Sequence, residues 1–363
     1  MEAECFRTIF VHENVPPRFR KAFLPGQLLY RQGGIAVRSN PQFGLGQLLL
    51  SRARKSRCRV YDRNMADVIL LPIFSSEKAN PIRCAVEGKV IDSINVTKQL
   101  VHRYLIASSR SMWPFDVCPS TFGKDSPVAG AMHVGADGGP TSKWKLISQG
   151  WYASPRRYIS VPPVLAVVDS RFPVRIGERN TLVSMMFSTE NHANRYEAMT
   201  IRWLLRRECI HQPSHVCRFV NVKGATAESR NVSMKLYQSS TFCAIPPGDW
   251  PSRIPALGDA ILMGCIPVLF DRAQLELWPV HWTWEGTSVY VPHPRGVIGQ
   301  LQNISVSSIK AMQDRLRLRA RQLLYEDDEL PGAWHSLLSL FPKLHGPDIS
   351  GSDPARSATP YPD

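Results

Sequence analysis

SSTFCAIPPGDWPSRIPALGDAILMGCIPVLF, Ser239–Phe270, reads in one pass as strand, turn, helix and strand. TFCAI is a short apolar run, the Pro/Gly cluster PPGDWPSR breaks it, and an apolar-periodic helix starts near Ile254. Gly264 closes that helix, and CIPVLF resumes as strand. This order is the repeating unit of a parallel α/β sheet, so the stretch fixes the fold class of its surroundings. In such sheets ligands bind beyond the carboxyl ends of the strands, where loops lead into helix amino termini. PPGDWPSR is a loop of that kind. Free amides and the helix dipole suit a phosphate there; Gly248 to Arg253, Asp249 included, are the donor-binding candidates at the phosphates, where Ser252 adds a hydroxyl and Arg253 a charge-assisted bond. The stretch therefore reads as a diphosphate site, against the plainer reading that Pro246, Pro247 and Gly248 only turn the chain. Asp259, within the helix, either accepts bonds from ribose hydroxyls or caps a neighbouring turn. Cys243 and Cys265 read as small buried hydrophobes close to one another.

The alternation extends outward. Upstream lie a strand at Thr181–Phe187, a helix at Asn194–Cys209 with Met199, Trp203 and Leu204 on one face, the strand SHVCRFVNV and the helix SRNVSMKLYQSS. Downstream come the strand TSVYV, an amphipathic helix from Ser307 to about Tyr325 and a last helix, GAWHSLLSLF. The first half opens with a strand at Arg7–Asn14, stopped by Pro16 and Pro17, then a helix over Gln42–Lys55 and a buried strand, ADVILLPIF. A helix capped by Thr97 is expected over Thr97–Ser109, and a strand at YISVPPV. Between them, Trp113–Gly150 is rich in Gly and Pro with poor periodicity. The polar stretch Asp169–Asn180 reads as a linker. Residues 1–170 and 180–345 are thus two Rossmann-like α/β domains, and the Pro-rich tail 346–363 is expected to be disordered.

Composition narrows the function classes. The 363 residues carry 44 Lys and Arg against 30 Asp and Glu, a formal charge of +14, which favours anionic partners. The basic residues are dispersed and not interleaved with aromatics, so nucleic acid is not the expected partner. No apolar run is long enough to cross a bilayer, and the amino terminus lacks the basic and apolar segments of a signal or anchor. The chain is either cytosolic or lacks an upstream targeting segment. Its eight cysteines include no CxxC pair and no spacing of the kind zinc requires. Cys209 and Cys217 flank a short loop and are either a local disulfide or two free buried thiols. Asn95, Asn231 and Asn303 head glycosylation tripeptides, which suits a luminal protein. Neither GxxxxGK[ST] nor GxGxxG after a strand occurs, which disfavours ATPases and simple dinucleotide-dependent dehydrogenases.

The ordered series STFCAIPPGDWPSR and DAILMGCIPV resembles the pattern of the exostosin-type glycosyltransferases. RTIFVHENVPPRF, ADVILLPIF, ERNTLVSMMF and TIRWLLRREC resemble further segments of that family. The resemblance implies a GT-B-like pair of Rossmann-like domains facing across a cleft. It also implies inverting transfer of a sugar from a nucleotide diphosphate sugar, a uridine diphosphate sugar by expectation, to a glycan or glycoprotein acceptor. The second domain would hold the donor and the first the acceptor. Helix dipoles and basic side chains, Arg253 among them, would stabilise the departing diphosphate without a metal. No cofactor beyond the nucleotide-sugar co-substrate is expected, and the location implied is the Golgi lumen, with a type II anchor upstream. The family's RRLFDAI is here RIPALGDAI, and its GRDH is here GKDS, Gly123–Ser126, without the histidine. That second departure motivates an alternative, a non-catalytic subunit of a hetero-oligomeric polysaccharide-synthesising complex. Inverting transfer needs a base for the acceptor hydroxyl. Asp137 is the residue selected, over Asp125, Glu190 and His192.

Overall fold

The computed structural model describes residues 5–13, 29–32, 35–38, 45–75, 81–94, 96, 98–108, 131–135, 158–160, 162, 179–190, 196–222, 227–248, 254–325 and 332–342. In the first unit, β1 (Ile9–Val11) is followed by an antiparallel pair, β2 (Leu29–Gln32) and β3 (Ile35–Arg38). Helix α1 (Leu45–Lys55), β4 (Arg59–Val60), β5 (Val68–Ser75), α2 (Pro81–Ile94), β6 (Tyr104–Ser108), β7 (Met132–Gly135) and β8 (Tyr158–Ser160) come next. The first sheet runs β4-β1-β5-β6-β7-β8, with every neighbour parallel.

The second unit alternates β9 (Thr181–Met186), α3 (Tyr196–Cys209), β10 (Cys217–Val220), α4 (Ala227–Ser239), β11 (Ser240–Ile245), α5 (Ile254–Leu262), β12 (Ile266–Leu269) and β13 (Val289–Tyr290). Three helices follow, α6 (Val297–Gln302), α7 (Val306–Arg319) and α8 (Ala333–Leu338). Its sheet runs β10-β9-β11-β12-β13, again wholly parallel. The two-unit, Rossmann-like α/β class expected from the sequence, GT-B-like, is the one observed. In both sheets the second strand lies on one side of the first and all later strands on the other. The order therefore reverses between β1 and β5 and again between β9 and β11, which opens a crevice at each carboxyl edge.

Local sequence explains the elements. Val68, Ile69, Leu70 and Leu71 are fully buried, as a strand covered on both faces requires, and Leu45, Leu49 and Ala53 of α1 repeat at helical spacing toward it. Gly264, at a φ of 69°, ends α5 in a left-handed turn: its amide donates to Ile261 O and that of Cys265 to Ala260 O, each at 2.9 Å.

The structure corrects several readings. Thr97–Ser109 is not one helix: a 3-10 turn, Lys98–Arg103, leads into strand β6. Tyr104, Leu105 and Ile106 are buried, and the strand is parallel to both β5 and β7, so tertiary pairing outweighs helix propensity. β7 lies inside the stretch read as aperiodic, and α2 was not anticipated. On α3 the buried face is Ala198, Met199, Arg202, Leu205 and Cys209, whereas Trp203 is 51% exposed. Cys243 and Cys265 are not free hydrophobes but a disulfide, as are Cys209 with Cys217 and Cys5 with Cys58. Arg179, read as linker, donates to the Tyr237 and Met263 carbonyls, both at 2.7 Å, and to Ser240 O, tying α4, β11 and α5 at the amino edge. Burial lowers its pKa to about 10, which leaves it charged at neutral pH. The tail 346–363 lies outside the described residues.

Two apolar cores result, and the chain changes core at its end. Leu323 and Leu324 pack in the second, but Tyr325, Ala333, Trp334, Leu337, Leu338 and Phe341 pack in the first. The sequence placed these residues with the second domain. Apolar periodicity announces that a helix face is buried and says nothing of which sheet receives it. Polar contacts secure the return: Tyr325 Oη donates to Pro162 O at 2.9 Å, and Arg7 Nε donates to Phe341 O.

Candidate functional site

The site expected at Gly248–Arg253 lies where β11 hands over to α5. Pro246, Pro247 and Gly248 are buried just past the carboxyl end of β11, and α5 begins at Ile254. Asp249, Ser252 and Arg253, in between, lie outside the described residues. Asp259 is half-buried within α5 and has interactions of its own. β9 and β11 are neighbours in register, with Ala244 opposite Met185, so the loops that leave them start side by side at the order reversal.

Polar side chains pin these loops. Arg202, 6% exposed, donates from Nε and Nη2 to the Pro247 carbonyl at 3.1 and 2.9 Å and from Nη1 to Ser188 O at 3.2 Å. Asn221, past the end of β10, accepts from the Thr189 amide at 3.3 Å. Gln274, fully buried, donates to Ile245 O at 3.0 Å while its Oε1 accepts from the amides of Phe270 and Asp271. The loops after β9, β11 and β12 are thus held from within, which is what a preformed ligand site requires.

At the corresponding edge of the first sheet, His12 follows β1 by one residue. Its ring stacks on Tyr104, with centroids 6.2 Å apart, and meets Phe10 edge-on at 5.0 Å; Nε2 is buried with no hydrogen-bond partner. Burial, and secondarily the charge of Arg63, lowers its pKa to about 4, so the imidazole is neutral at neutral pH. Glu13 beside it bonds Arg54 and Arg59, each at 3.0 Å, on the surface. Asp137, Asp125 and His192 lie outside the described residues; Glu190 is half-buried. Among the described residues, no group of three or more His, Cys, Asp or Glu could hold a metal ion, and no helix is long and apolar enough to cross a membrane.

Sequence reasoning missed Arg202, Gln274 and His12. Arg202 had a usable signal, a cation within the apolar stripe 198, 202, 205, 209. Gln274 had one too, since Asp271 and Gln274 form a capping box ahead of a 3-10 turn. His12 follows a strand too short for its pattern to single it out.

The model of the exostosin GT47 domain matches residues 4–304. A xyloglucan-specific galacturonosyltransferase 1 of Arabidopsis thaliana is 38% identical over 72 residues, 20% of this chain and 10% of the relative. A probable xyloglucan galactosyltransferase GT15 of the same plant is 32% identical over 123 residues, 32% of this chain and 25% of the relative. The chain thus spans a quarter or less of these relatives. Among solved structures, Arabidopsis thaliana UGT89C1 complexed with UDP-L-rhamnose aligns at a TM-score of 0.37 and 10% identity, over 82% of this chain and 74% of the other. From the match over residues 4–304, the chain belongs to the exostosin GT47 family.

Proposed function

We propose that this chain is an inverting glycosyltransferase that moves a sugar from a uridine diphosphate sugar to a hydroxyl of a glycan or glycoprotein acceptor. The observation that carries the reading is family membership joined to one feature of the fold: Pro246–Gly248 at the end of β11 and the amino end of α5, which bracket the family-like PPGDWPSR segment in sequence, stand at the order reversal of the second sheet. The relatives are named for xyloglucan, so xyloglucan is the acceptor to try first.

In this mechanism the amides of the loop and of the first turn of α5 face the diphosphate, with the helix dipole behind them. Ser252 and Arg253 bond its oxygens, and Asp259 accepts from the ribose hydroxyls. The acceptor oxygen attacks the anomeric carbon from the face opposite the diphosphate, so a single displacement inverts the centre. Its proton passes to Asp137, assigned as base, while the diphosphate leaves with the bonding electrons. His12, at the same edge of the first sheet as the end of β7, is kept neutral by burial and by the charge of Arg63, so it adds no positive charge beside the assigned base. A luminal Golgi location is supported by the disulfides, which persist in oxidising compartments.

Calorimetric titration of uridine diphosphate into the parent, Arg253→Ala and Asp259→Ala is the test. Loss of affinity in both variants is expected. No binding by the parent at millimolar nucleotide, or parent-like affinity in both variants, would refute the site. The GKDS segment favours a second reading, a non-catalytic partner in a polysaccharide-synthesising complex. Measurable nucleotide binding with no product from a broad panel of donors and acceptors would select it.

A further inference from the structure

We propose that Arg202 is the positioning residue of the donor site: by holding the Pro247 carbonyl it aims the Gly248 amide at the diphosphate. The inference rests on the donor reading above and adds to it a residue on the helix behind the loop.

Arg202 belongs to the buried face of α3, between Ala198 and Leu205, where an apolar residue would fill the space at less cost in desolvation. Two nitrogens of its fork converge on the Pro247 carbonyl and the third reaches Ser188 O, so one guanidinium fixes the loops after β11 and β9 together. Lysine could not do this, because its single ammonium lacks the planar fork. The consequence follows from peptide geometry. The described peptide bonds are all trans, and in a planar trans unit the C=O and N–H point in opposite directions. Drawing the Pro247 oxygen toward α3 therefore turns the Gly248 N–H away from α3. No described group accepts from that amide. A phosphate oxygen at the amino end of α5 is the acceptor it suits, and the buried guanidinium charge behind the loop favours the same anion.

Arg179 supplies an internal control. It too is an arginine that makes three bonds to carbonyls, those of Tyr237, Ser240 and Met263, but at the opposite, amino edge of the same sheet. The affinities of uridine diphosphate and of uridine, together with melting temperatures, are to be measured for the parent, Arg202→Met, Arg202→Lys and Arg179→Met. The expected result for Arg202→Met is a loss of about tenfold in diphosphate affinity, the worth of one hydrogen bond to a charged group, with uridine affinity within about twofold. Arg202→Lys should fall between, and it reads the effect if the methionine variant does not fold. Arg179→Met should lower the melting temperature and leave the ratio of the two affinities unchanged. Parent-like diphosphate affinity in both Arg202 variants, an equal loss for uridine, or the same ratio change in Arg179→Met would overturn the inference alone. A parent that binds no uridine diphosphate would overturn the donor reading and this inference with it.

Discussion

His281 and His12 are both kept neutral by the fold. His281, 4% exposed, lies against the Ala333 carbonyl at 3.2 Å; burial drives its pKa down to about 4, partly offset by that bond. In the unfolded chain both imidazoles titrate near 6.5. Between these values the unfolded state binds more protons than the native one, so stability rises with pH from about 4 to about 6.5 and then levels. The urea midpoint should accordingly be lower at pH 5 than at pH 7, and His281→Gln should show a smaller difference between the two. An identical pH dependence in His12→Gln, His281→Gln and the parent would rule this linkage out. At this scale the sequence offered a candidate loop, Gly248–Arg253, because Gly, Ser and Arg are the residue types a phosphate site uses, and the described residues show only its two ends, Gly248 and Ile254. It concealed Arg202 and His12, whose roles depend on what a neighbouring element brings opposite them.

The element that carries the proposed site is a strand, loop and helix closed on itself. Cys243 on β11 and Cys265 just before β12 are bonded at a separation of 22 residues, and the intervening segment contains the whole loop and α5. Both cysteines are completely buried. Replacing the pair by alanines should cost about 3 kcal/mol, the loop-closure entropy returned to the unfolded chain. It should also weaken uridine diphosphate binding more than the Cys209→Ala, Cys217→Ala pair, which closes only eight residues on the far side of α3. Denaturation and calorimetry on the two double variants check both. Equal nucleotide affinity in the two would mean that the bridge does not tension the site. Elements with a single dominant period were legible in the sequence, β5 and α5 above all. The 3-10 turn and β6 were read as one helix because Leu100, Tyr104 and Leu105 satisfy a helical spacing as readily as a strand, and only pairing with β5 decides between them.

At the scale of the whole molecule, the two α/β units were legible from alternation alone, but their boundary is not a point on the chain. Residues 325–341 complete the first core with Tyr325, Trp334 and Phe341 after the second unit is finished. A chain ended after Leu324 should therefore keep a cooperative second unit, with its nucleotide binding, and lose cooperativity in the first. Two separate melting transitions, with only the nucleotide-shifted one retaining its height, is the expected calorimetric trace. A single parent-like transition would disprove it.

That return also orders events during synthesis. As the chain emerges amino terminus first, the strands of the first sheet appear early but lack the aromatic wedge that seals them, whereas the second unit can close as soon as Leu324 is out. On a ribosome, the first unit waits as exposed apolar surface while about 180 further residues, from Ser160 to Phe341, are translated. Chaperones that cover this surface until Phe341 is made should then govern how much of the first unit folds.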